Sequence, residues 1–142
     1  MGAETERKFK ILIADDNADI LASLKMALTE TGHEITTVSD GLAAIEWAEA
    51  QDPDIVILDL MLPKRGGFQI LQKLKGNVQA QGKRPLICMI TGNEGMRHKE
   101  FAERNGVDDF LRKPFAMGRM LEVVNGFFET LRKGIPDAKP KK

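Results

Sequence analysis

Five residues in this sequence carry side chains that could act together on a phosphoryl group. They are the adjacent carboxylates Asp15 and Asp16, the carboxylate Asp59, the hydroxyl of Thr91 and the ammonium of Lys113. Each ends or directly follows a short apolar run, in the stretches ILIADD, VILDL, ICMIT and DFLRK. Three carboxylates and one ammonium brought together leave excess negative charge, and like charges ~4 Å apart repel by several kcal/mol at an effective dielectric near 20. A divalent cation would cancel that excess. An all-oxygen donor set without Cys or His selects a hard ion, Mg2+ before others. Beside such an ion, a hydroxyl and an ammonium suit the equatorial oxygens of a phosphoryl group, and Asp59 could be the nucleophile that forms an aspartyl phosphate.

Taken singly, each residue also has a plain structural use. Asp16 or Asn17 could cap a following helix, and Asp59 could open a turn completed by Pro63 and Gly66-Gly67. Thr91-Gly92-Asn93 could be an ordinary loop and Lys113 a solvated charge. The chemical reading therefore depends on whether the fold brings all five to one place.

The elements that would do so are legible. Five apolar runs, at residues 9–14, 34–38, 54–59, 85–91 and 108–112, alternate with helix-length segments, the pattern of βα units and a parallel sheet. Leu21, Leu24 and Leu28 recur with helical spacing, as do Leu42, Ile45 and Ala48, and then Ile70, Leu71 and Leu74. The last helix is the clearest, with Met120, Val123, Val124, Phe127, Phe128 and Leu131 on one face. Residues 96–105 form the weakest helical pattern, with Phe101 and Ala102 as its apolar contact pair, and are expected to be the most mobile. The first, third and fourth runs are continuously apolar and read as central strands, whereas EITTV and DDFLR read as edges. Right-handed crossovers then favour a single doubly wound α/β sheet in the order 2-1-3-4-5, with helices on both faces. Ligands bind such sheets at the carboxyl ends of the strands where the winding reverses. That is where Asp15, Asp16 and Asp59 would lie.

The rest of the composition narrows the field. The chain of 142 residues fits one domain, and its 21 basic and 21 acidic residues show no basic stripe of the kind that tracks nucleic acid. Cys88, in LICMI, reads as a buried free thiol. No run approaches a membrane span, and the charged N-terminus has no signal-peptide core, so a cytoplasmic protein is expected. His33 and His98 read as surface residues, Trp47 as partly buried packing, and GIPDAKPKK as a solvated tail.

The order and spacing of IADD at 13–16, VILDLMLPKRGG at 56–67, ITG at 90–92 and FLRKPF at 110–115 resemble the CheY-like receiver domain of two-component response regulators. The resemblance spans residues 8–131, with 1–7 as an N-terminal extension and 132–142 as a flexible tail. It implies a flavodoxin/CheY-like fold and Mg2+-dependent transfer of a phosphoryl group to Asp59 from a sensor histidine kinase or a histidine phosphotransfer protein. Asp16, Asp59 and the backbone carbonyl of Met61 would then ligate Mg2+, with Asp15 acting through a bound water. Thr91 and Lys113 would bind the phosphoryl oxygens, Phe110 would be the switch aromatic, and Lys113-Pro114 would be a cis peptide. A downstream protein would read the surface of the fourth helix, fifth strand and fifth helix, and a phosphorylation-dependent homodimer is allowed. Receivers often have Ala where this chain has Gly92, which leaves phosphate access open, and Tyr where it has Phe110. Met61 and Asn93 fall where receivers tune the phosphoryl lifetime. Two other functions compete. A small Mg2+-dependent phosphatase resembling the haloacid dehalogenases would want Asp where Met61 stands. A receiver-like interaction module that is never phosphorylated would be expected to lack part of the set.

Overall fold

The computed structural model describes residues 8–64, 66–92 and 96–138. Five strands, β1 (Lys10–Ala14), β2 (Glu34–Val38), β3 (Ile55–Asp59), β4 (Leu86–Thr91) and β5 (Asp109–Arg112), alternate with helices α1 (Ala18–Thr29), α2 (Gly41–Gln51), α3 (Gly67–Leu74), α4 (Met96–Arg104) and α5 (Met117–Arg132). All pairings are parallel, in the order β2-β1-β3-β4-β5. This is the expected doubly wound sheet. β1, β3 and β4 lie almost entirely out of solvent, while every residue of β2 keeps some exposure, as their compositions foretold.

Because successive side chains of a strand point to opposite faces, β1 feeds two separate cores. Ile11 and Ile13 join Ile55, Ile57, Cys88 and Ile90 under the faces of α1 and α5, including Leu24, Leu28, Met120, Val124 and Phe127. Leu12 and Ala14 join Val56, Leu58, Ile87 and Met89 under α2, α3 and α4, through Ala44, Ala48, Ile70, Leu71 and Ala102. All six apolar positions read for α5 are buried. Trp47 is half-buried against the second core.

Four expectations change. Leu42 is 42 % exposed, and α2 instead turns Gly41, Ala44 and Ala48 inward, small residues that let the helix lie close to the sheet. Phe101 lies toward solvent and meets the ring of Phe68 edge-on at 4.6 Å, which leaves Ala102 as the buried contact of α4. The segment after α5 is fastened as far as Ala138: the Arg84 N–H donates to the Pro136 carbonyl (2.9 Å) and the Ala138 N–H to the Arg84 carbonyl (2.7 Å). The Arg84 guanidinium also pairs with Asp137, Asp52 and Asp54, so an ion network replaces the expected solvation there. His33, finally, is not a simple surface residue. Its ring stacks on Phe9 (5.1 Å) and lies 4.3 Å from that of Phe128, and its Nδ1 accepts the Phe9 N–H at 3.0 Å.

That acceptor role requires an unprotonated Nδ1. Burial first, then the charges of Arg132 and Lys8, hold the His33 pKa below its ordinary value, against an opposing pull from Asp54. The unfolded chain therefore takes up a proton before the folded one does. Stability should fall as pH drops through the ordinary histidine range near 6.5 and level off below the folded value. Denaturant titrations at pH 7.5 and 5.5 should show a larger loss in wild type than in His33→Gln; equal losses would contradict this role.

Candidate functional site

Strand register gathers the five residues. Ala14 lies beside Leu58, so Asp15 and Asp59 leave neighbouring strands together. Asp59 lies beside Ile90, Thr91 beside Arg112, and the Lys113 N–H donates to the Thr91 carbonyl at 2.7 Å. Asp15, Asp59 and Thr91 are buried, while Asp16 is exposed.

The helix cap falls to Asn17, whose side chain accepts the N–H groups of Asp19 (2.9 Å) and Ile20 (3.1 Å). Asp16 is thereby left for another role. Asp15 Oδ1 accepts the Asn17 N–H at 2.8 Å, which fixes that carboxylate. Its Oδ2 is buried and receives no directed hydrogen bond, although the Lys113 ammonium lies 3.0 Å away. Asp59 Oδ1 accepts the Met61 N–H at 3.2 Å, the local turn also foreseen for it, while Oδ2 lies 3.5 Å from Lys113 Nζ. Burial pushes the Asp59 carboxyl above its ordinary pKa; Asp15 and Asp16 add to this, and the Met61 N–H and Lys113 oppose it.

One carboxylate oxygen from each of Asp15, Asp16 and Asp59 lies within 4.8 Å of the others, a cluster that could hold a metal ion. The donors fit a hard cation: all are oxygens, one is buried without a directed hydrogen bond, and the Lys113 ammonium pairs with two of the three carboxylates. Of the remaining residues, Phe110 is half-buried against the second core and Met61 is 62 % exposed. Lys113-Pro114 is cis. Gly92 is exposed, and a Cβ placed on it would meet nothing within 4 Å. Asn93 lies outside the described residues. A cleft of about 510 Å³ opens beside Lys113, between Ile20 and Ser23 of α1 and Phe115.

Sequence reasoning missed the part played by Gly67. A Cβ there would lie 2.5 Å from the Asp59 carbonyl oxygen and 2.7 Å from the Leu60 Cα, so only glycine lets α3 begin against the end of β3. The GG pair after Pro63 was the available signal, and it could not say which glycine was constrained.

Comparison with known proteins agrees with this geometry. The family model described as the response regulator receiver domain matches residues 11–125. The chain is 35% identical over 107 residues to the alkaline phosphatase synthesis transcriptional regulatory protein PhoP of Bacillus subtilis, covering 75% of this chain and 43% of that protein. It is 36% identical over 111 residues to the transcriptional regulatory protein KdpE of Mycobacterium tuberculosis, covering 78% and 47%. It thus spans about half the length of the curated relatives it matches. Among solved structures, the Francisella response regulator 1452 receiver domain superposes with a TM-score of 0.77 at 25% identity, over 87% of this chain and 99% of that one. Among the described residues, no helix is long and apolar enough to cross a membrane.

Proposed function

Because the chain belongs to the response regulator receiver domain family, we propose that Asp59 accepts a phosphoryl group from the phosphohistidine of a sensor histidine kinase or a histidine phosphotransfer protein. The observation that carries this is the convergence of three carboxylates within 4.8 Å on a lysine that lies 3.0 Å from Asp15 and 3.5 Å from Asp59. Asp16, Asp59 and the Met61 carbonyl would hold Mg2+, with Asp15 acting through a water. When bound, the ion offsets the charge of the carboxylates and of the incoming phosphoryl oxygens.

An Asp59 carboxylate oxygen attacks phosphorus; the new P–O bond forms as the P–N bond breaks, and its electron pair stays on the departing imidazole. Lys113 faces the phosphoryl oxygens and keeps Asp59 in line. Thr91 donates its hydroxyl to one of them, and Phe110 follows it inward, changing the surface of α4, β5 and α5 that a downstream protein, or a second copy of this chain, would read. Water later attacks phosphorus and restores the carboxylate, at a rate set by the access that Met61, Gly92 and Asn93 allow. In this reading the chain promotes its own phosphorylation and dephosphorylation, turns over no separate metabolite and works in the cytoplasm. The cleft beside Lys113 suits an apolar side chain of the donor protein.

The test is intact-mass measurement after incubation with a small-molecule phosphodonor and Mg2+. Wild type should gain one phosphoryl group and Asp59→Asn none. A wild type that gains nothing would overturn the acceptor reading in favour of the interaction module or, where the phosphodonor is consumed, the phosphatase, and equal gain by Asp59→Asn would move the acceptor elsewhere.

A further inference from the structure

The loop after Asp59 is anchored at both ends, and one anchor comes from an element with no part in the chemistry. At its start, the Leu60 N–H donates to the Ile90 carbonyl (2.8 Å) and the Leu60 carbonyl accepts the Gly67 N–H (2.9 Å). Further on, the Pro63 carbonyl accepts the N–H of Gly41, the first residue of α2, at 2.9 Å. The next residue, Lys64, has φ 72°, a left-handed conformation that a non-glycine residue keeps only where its surroundings hold it. Its ammonium lies 3.6 Å from Asp40 Oδ2, while Asp40 Oδ1 accepts the Ala43 N–H at 2.8 Å and caps α2. Leu60 and Leu62 are buried on either side of Met61, whose side chain points to solvent.

We infer that Gly41 and Asp40, at the start of α2, are positioning residues for the metal side of the site: they hold Pro63 and Lys64 so that the segment bearing the Met61 carbonyl is ordered before any cation arrives. This rests on the Mg2+ reading above. A ligand loop that must be ordered on binding weakens the binding by the cost of that ordering, and one backbone residue's worth corresponds to about tenfold in an equilibrium constant. The two contacts are not equal. Lys64 is mostly exposed, so its ion pair with Asp40 is screened and adds little. The Gly41 N–H, on a buried residue, carries most of the effect.

Proline at position 41 separates these contributions. It removes the donor, the first position of a helix tolerates it, and Asp40 already has the extended backbone (φ −147°, ψ 164°) that a residue before proline prefers, but its ring also enlarges a buried residue of α2, so Lys64→Gly is read beside it. Calorimetric titration with MgCl2 should show Gly41→Pro binding about tenfold more weakly than wild type. Its melting temperature without Mg2+ is recorded beside the affinity, because the ring enlarges a buried residue; weaker Mg2+ binding at an unchanged melting temperature, which a merely structural role would not give, is expected of the loop variant below. Lys64→Ala should bind within about twofold of wild type. Lys64→Gly, which frees the left-handed residue and loosens the loop, should also weaken Mg2+ binding without lowering the melting temperature, and it serves if proline at 41 prevents folding. Unchanged Mg2+ affinity in both Gly41→Pro and Lys64→Gly would overturn the inference and leave the metal site standing. A wild type that binds no Mg2+ would overturn both.

Discussion

Replacing Asp108 with alanine should destabilise the fold by about 3–5 kcal/mol, the range for breaking a buried ion pair from one side. The Lys75 side chain is 0% exposed, and its ammonium meets the Asp108 carboxylate at 2.9 Å and the carbonyls of Lys83 (2.5 Å) and Pro85 (2.9 Å). Asp108 in turn accepts the N–H groups of Gly82 (2.6 Å) and Ile87 (2.8 Å). Removing the carboxylate strands a buried cation together with the buried Ile87 amide, while the exposed Gly82 N–H is left to water. Burial lowers the Lys75 pKa and raises that of Asp108, in each case as the largest influence and against the pull of the partner. Leaving water thus weighs against the charge of each group although its partner faces it. It follows that Lys75→Met, which leaves Asp108 its two amide donors, should cost less than Asp108→Ala. The double variant should cost clearly less than the sum of the two. Urea titrations give the three values, and thermal melts should place Asp108→Ala roughly 10–15 °C below wild type. A shift of only a degree or two, or strict additivity, would show that the pair is better solvated than its geometry implies.

Gly67→Ala should be nearly as damaging for a different reason. The added methyl would meet backbone on two sides, at 2.5 Å and 2.7 Å, and backbone cannot rotate away as a side chain can. The start of α3 and the end of β3 must separate, at roughly 3 kcal/mol by the usual cost of overpacking, and the displacement falls on Asp59, the acceptor proposed above. Phosphoryl incorporation should therefore drop along with stability. Gly66→Ala is the matched control. A Cβ there meets nothing within 4 Å, φ is −68°, and no side chain caps α3, so stability should stay within about 0.5 kcal/mol of wild type. Equal behaviour of the two variants, measured by denaturant titration and intact mass, would contradict the close approach at Gly67.

What the sequence made legible is mostly what one strand or helix decides for itself. Continuous apolar runs marked β1, β3 and β4 as central because both their faces are covered, and the mixed EITTV marked an edge. Strand order then brought Asp15, Asp59, Thr91 and Lys113 to one edge without any knowledge of their contacts. The residues that were misread, or passed over, depend on distant partners. Nothing near His33 shows that Phe9, 24 positions away, offers it an N–H, nor anything near Lys75 that Asp108 waits 33 positions on. Leu42 misled because periodicity favours the largest apolar residue, whereas close approach to the sheet favoured Gly41 and Ala44. The resemblance had given Asp15 and Asp16 different roles, but their difference in burial was hidden, since it turns on Asn17 taking the cap and on Asp15, but not Asp16, lying in the interior.

The Arg84 network gives the sheet two poles of opposite temperament. At the strands' beginnings the guanidinium pairs with Asp52, Asp54 and Asp137 and binds the segment after α5, whereas at their ends three carboxylates gather beside the Lys113 ammonium. The six residues of β4 separate the two poles by about 20 Å at the usual strand rise. Ala138 therefore stands on the quiet side of the molecule, and a surface anchor or fluorescent handle placed there leaves the acidic edge turned toward solution. That orientation suits the domain to assays in which it is fixed by one end and offered phosphodonors at the other.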